Sequence, residues 1–93
     1  MKALVCEKAS FMDAEGKDVY MVVLATKDAR GNVHVMKKQG KDGKQNVVKF
    51  TVVPAAVFDK VFPCKVYDFK MALTDGSMTA SVTGVAESDV STL

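Results

Sequence analysis

Reactive side chains are scarce in this chain. It holds one histidine, His34, two cysteines, Cys6 and Cys64, and a single arginine, Arg30. A general base needs an orienting partner and a nucleophile within reach, and no grouping of His, Cys and Asp supplies them. Metal-ligand spacings are absent, and so are the phosphate-cradling patterns GxxxxGKS/T and GxGxxG. These gaps argue against an enzyme, and we expect neither cofactor nor metal. His34, alternating with Val33 and Val35, reads as a surface or edge-strand residue. No apolar run approaches the roughly 20 residues of a membrane span. MKALVCEKAS is charged throughout and lacks the apolar core of a signal peptide. The expectation is a cytoplasmic protein that contacts no membrane. Cys6 and Cys64 read as two buried thiols, with a disulfide between them left open.

What is present suits one small domain. Of 93 residues, 48% are hydrophobic and 26% charged, enough apolar surface to build a core. The net charge of +2 is unevenly spread. From Lys27 to Lys49, seven Lys or Arg face two Asp, whereas the remainder holds six basic and nine acidic residues. A basic centre with mildly acidic flanks makes a dipolar surface.

The centre is Val33 to Val53, VHVMKKQGKDGKQNVVKFTVV, where Val33, Val35, Val48, Phe50 and Val52 recur with the period of two that half-buries a strand. Between these runs lies a flexible, lysine-rich loop, KKQGKDGKQ, with Gly40 and Gly43 to permit positive φ. Before it, Lys2 to Met12 reads as a strand with a bulge or change of face, DAEGK as a turn pivoting on Gly16, and Asp18 to Thr26 as a central strand covered on both faces or on one face plus a partner subunit. KDARGN is a hairpin signal. After the loop, Pro54 stops a strand and opens a short amphipathic turn, PAAVFDKVF, that Pro63 ends; Phe58 and Phe62 go to the core. KVYDFKMAL alternates cleanly, TDGS turns, and Met78 to Ala86 closes the series.

The expected architecture is all-β: five to six short strands in a small Greek-key barrel of OB type, with one helical turn before the last two strands. A small sandwich or SH3-like barrel is the competitor. The barrel spans residues 1–86, and 87–93 form a flexible polar tail.

Lysines on such a loop neutralise phosphates and release counterions, giving affinity without sequence preference. The plainer reading is a solvated hairpin kept soluble by lysine, or an edge guarded against aggregation. Aromatics tilt the balance, because single strands are held by a cationic groove plus stacking platforms. Each strand aromatic reads more simply as core than as platform; Tyr20 and Tyr67 are the better platform candidates, since a hydroxyl tolerates a half-wet position. With Lys37, Lys38, Lys41, Lys44 and Lys49, they make the proposed nucleic-acid site. Nothing in these residues separates DNA from RNA.

The order of pieces resembles the single-stranded DNA-binding proteins of filamentous phages, the gene V protein type. The matching stretches are the first strand ending in Phe11, then GKDVYMVVL, VVKFTV and FPCKVYDFKMALTDGSMTASVTGV. The resemblance implies stacking by Tyr20, phosphate contacts by Lys17 and Arg30, a homodimer joined through β-hairpins, and a helix-destabilising role coating replicating phage or mobile-element DNA. The chain departs from that pattern in its short first turn, its near-absence of arginine and the lack of an aromatic in TDGS. The rival expectations are a β-barrel that docks on a host protein, or a structural virion component; no small-molecule substrate is expected in any of them.

Overall fold

The computed structural model describes residues 1–73, 80–86 and 93. Three turns of one design set the path of its chain, at residues 13–17, 28–32 and 40–44. In each, the first residue's N–H donates to the fifth residue's carbonyl at 2.8 to 2.9 Å, and the glycine in fourth place donates to the first residue's carbonyl at 3.0 Å. Those glycines, Gly16, Gly31 and Gly43, have φ of +80°, +88° and +78°, the left-handed region where a Cβ is disfavoured. In the first two turns the opening aspartate holds the loop. Asp13 accepts from the amides of Glu15 and Lys17, and Asp28 from those of Arg30 and Asn32. The third turn opens on Gly40, where a Cβ would meet Asn46 Nδ2 at 2.5 Å, and Asp42 accepts from Lys44 N–H instead.

These turns join β1 (Lys2–Met12) to β2 (Asp18–Lys27), β2 to β3 (Val33–Val35), and β4 (Lys37–Gln39) to β5 (Gln45–Val47). The chain continues through β6 (Phe50–Thr51), α1 (Ala55–Lys60), β7 (Val66–Leu73) and β8 (Ala80–Val85). The main sheet runs β3-β2-β1-β7-β8, with β6 also on β2, and every named ladder is antiparallel. Its two ends meet at one parallel bridge, Val52 to Val82, where Val53 N–H donates to the Val82 carbonyl at 3.0 Å. The fold is all-β with one small helix, as its patterning led us to expect.

One face of the sheet makes the core. Ala3, Val5, Val22, Leu24, Val48, Phe50, Val52, Phe69 and Val82 are buried there, joined by Val57 of α1 and by Val61. Burying a side chain such as Phe69 or Leu24 contributes about 1.5–3 kcal/mol. Pro54, at φ −84° and ψ 125°, precedes the first helical residue. The helix lies against β2 and β8.

Several expectations change. The runs 33–38 and 45–53 are not single strands: each is interrupted, giving eight strands among the described residues. β2 is not covered on both faces, since Val22, Leu24 and Ala25 are buried while Val19, Met21 and Val23 stay half-exposed. The register of β1 does shift, between Val5 and Glu7. Cys6 and Cys64 are exposed free thiols, not buried ones. Phe62 is 53% exposed and leaves the core to Phe58's half-buried ring. The TDGS turn and the tail at 87–92 lie outside the described residues.

Candidate nucleic-acid interface

The lysine-rich segment is an ordered ribbon. β4 and β5 form their own two-stranded sheet, with Lys37 opposite Val47, Lys38 opposite Asn46 and Gln39 opposite Gln45. The point where it leaves the main sheet can be read from the register. Ala25 pairs with Val35 and Val22 with Phe50, so three steps along β2 correspond to fifteen along its partner, twelve more than a continuous strand needs. β3 and β6 are thus two halves of one edge beside β2, and the ribbon buds from between them. Its base is stitched by Met36 N–H donating to the Leu24 carbonyl and Val48 N–H to the Met36 carbonyl, at 2.8 and 2.9 Å. Val48 turns into the core; every residue of β4 and β5 is exposed.

Side chains alternate along a ribbon, so Lys37 and Lys38 project from opposite faces, with Lys41 and Lys44 at the tip and exposed Lys49 at the base. Among the described residues none of these five has a carboxylate within 4.0 Å; the ion pairs there are Met1–Asp68, Lys17–Glu15 and His34–Asp28. With four lysines against Asp42, the arm at residues 37–46 carries a net positive charge.

The other expected residues divide. Lys17 and Arg30 belong to the turns at the two ends of β2, roughly 30 Å apart at the rise of a ten-residue strand, so no compact site holds both. Lys17 lies 3.9 Å from Glu15. Tyr20 is half-buried against the core, its ring 4.7 Å from that of Phe58. Tyr67 is half-buried as well; its hydroxyl accepts the Phe62 N–H at 3.0 Å and its ring meets Phe69 edge-on at 5.8 Å. Both tyrosines therefore have structural work, Tyr67 in pinning the segment between α1 and β7.

That segment carries a cluster that patterning missed. Lys8 Nζ stands 4.4 Å from the centre of the Phe58 ring and 5.3 Å from that of Phe62, with Lys65 Nζ 5.9 Å from Phe62 on its own account. Lys8 also donates to the Phe58 carbonyl at 3.1 Å, satisfying one of the last acceptors of α1. Cations within about 6 Å of a ring are drawn to its negative face. Tyr20, Phe58 and Phe62 thus form an aromatic step beside two lysines, one ring of it open to solvent. A signal for Phe62 was present in FP: a residue before proline is driven into extended backbone, so the helical spacing cannot carry through to it.

His34 Nε2 lies 2.7 Å from Asp28 Oδ2 on the exposed edge strand. The Asp28 carboxyl is held below the usual carboxylate range, chiefly by the Asn32 amide and then by His34 and the Arg30 amide, against some desolvation. Among the described residues no three His, Cys, Asp or Glu side chains gather as a metal site, and no helix is long and apolar enough to cross a membrane. In comparisons with family models, curated proteins and solved structures, nothing matched this chain.

Proposed function

We propose that this protein is a non-catalytic, sequence-tolerant binder of single-stranded DNA, engaging phosphates with the β4–β5 ribbon and bases with the Phe62 step. The observation that carries the reading is the ribbon itself. Four lysines are concentrated on an arm that adds nothing to the core and has no carboxylate partner among the described residues. Such like charges repel one another, and a polyanion relieves that repulsion while releasing its own counterions. An exposed aromatic beside two lysines complements the arm, because every base offers a π-face and base–aromatic stacking is worth ~1–3 kcal/mol. We also assign homodimer contact to the outer face of the β1–β2 hairpin, where half-exposed Phe11 lies opposite Val19 and Ala9 opposite Met21. That same apolar face favours the second reading, a module that docks on another protein.

The test is fluorescence anisotropy with labelled oligothymidine, its duplex and oligouridine over a salt series. Wild-type protein should bind the single strand far more tightly than the duplex and lose affinity steeply with salt. Combining Lys37→Gln, Lys38→Gln, Lys41→Gln and Lys44→Gln should lower affinity and flatten the log–log salt slope by up to about 2.8, at ~0.7 per phosphate contact, with an unchanged circular dichroism spectrum. Unchanged affinity in that variant rules out the ribbon as the site. Equal binding of oligouridine widens the ligand to RNA, and no binding at low salt leaves the protein-docking reading.

A further inference from the structure

Two cysteines remote in the chain take up neighbouring positions where β1 runs beside the entry to β7. Val5 N–H donates to the Lys65 carbonyl at 2.9 Å, and the Val5 carbonyl accepts from Cys64 N–H at 2.7 Å. Cys64 and Lys65 together therefore oppose Val5, which is the signature of a β-bulge, and Leu4 then pairs regularly with Val66. The next residue of β1 after Val5 is Cys6, so the two cysteines are neighbours across the join. Cys6 lies at the register shift of β1, and both thiols are free and exposed.

Cys64 stands out for its backbone. Its φ of +68° is the one positive value at a non-glycine among the described residues. A left-handed residue in the first place of such a bulge is ordinarily glycine, so at this site a thiol stands where a bare backbone fits best. The Cys6 thiol is pushed up by partial burial and, next, by the charge of Cys64.

We propose that Cys6 and Cys64 are a dithiol site that closes to an intramolecular disulfide by exchange with a small disulfide of the oxidised-glutathione class. Cys64 opposes Val5 and Cys6 is the next residue of β1, so a strand separation of about 5 Å and one residue's rise of about 3.3 Å put the two Cα atoms roughly 6 Å apart on the diagonal, inside the roughly 4.4–6.8 Å that a disulfide bridges. Cys64 loses its proton and its thiolate attacks one sulfur of the oxidised glutathione. That S–S bond breaks, a mixed disulfide forms on Cys64, and one glutathione leaves as a thiolate that is then protonated. Cys6 then loses its proton and attacks the Cys64 sulfur, expelling the other glutathione as a thiolate that is protonated in turn. Two protein thiols are oxidised and one small disulfide is reduced to two thiols. The bond would tie down the segment that carries Phe62 and Lys65, yet the site stands independently of any nucleic-acid binding.

The experiment equilibrates the folded chain with glutathione redox buffers, quenches with acid and maps unreduced peptides by mass spectrometry. The expected product is a monomer lighter by two hydrogens with the Cys6 and Cys64 peptides linked. Cys6→Ser should instead stop at a stable glutathione adduct on Cys64. In denaturant, where the fold no longer sets the effective concentration, the closing equilibrium should fall about tenfold or more. Wild-type protein that accumulates glutathione on both cysteines without linking them, or that links only between chains, overturns the proposal. So does closure that is as favourable in denaturant as in the native protein.

Discussion

Phe62 shows how one residue can belong to two patterns. Its spacing from Phe58 suits a helix face, but α1 ends at Lys60, Val61 is extended at φ −104° and ψ 142°, and the ring emerges beside Lys8 and Lys65. Phe62→Ala should weaken oligothymidine binding by ~1–3 kcal/mol, seen by anisotropy, while thermal unfolding moves little because the ring is half in water. Asp28 offers a prediction in pH. Its folded carboxyl is depressed, so its contribution to the 28–32 turn is complete above the ordinary carboxylate value of about 3.9. That contribution is lost as pH falls through the lower folded value. Amide shifts of Arg30 and Asn32 followed by NMR should titrate with a midpoint below 3.9 or thereabouts; a midpoint at or above it would contradict the hydrogen bonds. At this scale residue type foretold charge better than it foretold contacts. Lysine marked the cationic arm, but nothing in the letters told that Tyr67's hydroxyl would be taken by the Phe62 amide, because that contact depends on how β7 meets the end of α1.

Among elements, the turns were the most legible. DAEGK and DARGN place aspartate first and glycine fourth, and both fold with that aspartate accepting two amides and that glycine left-handed. Gly31→Ala at φ +88° should cost about 1–2 kcal/mol, a fall in melting temperature of roughly 4–8 °C per kcal/mol for a domain of this size, measured by circular dichroism. The ribbon was harder to foresee. Its alternation with the flanking valines is continuous by eye, and only the jump in pairing partner along β2 shows that the edge splits to release it. Replacing residues 38–46 with Asn-Gly, a turn suited to a two-residue hairpin, should therefore leave the main sheet folded, with a melting temperature close to that of the parent, and abolish the steep salt dependence of binding. Collapse of the fold on that deletion would mean that the ribbon is integral to the core.

For the whole molecule, the class of fold followed from short alternating strands and regular turns, and the core followed from the valines at 48 to 52 with Phe69 and Val82. What no local pattern carries is the pairing of distant strands. The meeting of β1 with β7, and of residue 52 with residue 82, unites segments far apart in the chain. Phe69, 2% exposed, sits in the middle of that assembly. Phe69→Ala should cost about 3–5 kcal/mol, a large share of a total stability of about 5–15 kcal/mol, whereas Leu73→Ala, at a side chain 71% exposed, should stay within about 0.5 kcal/mol; urea melts of the two variants distinguish them. The split edge beside β2 has a consequence for descent. Because both halves of that edge keep their own partners on β2, residues can be added to or removed from the ribbon in pairs without shifting any contact in the main sheet. Arm length is then free to drift and be selected, so related chains should differ most in this one excursion while their buried valines stay aligned.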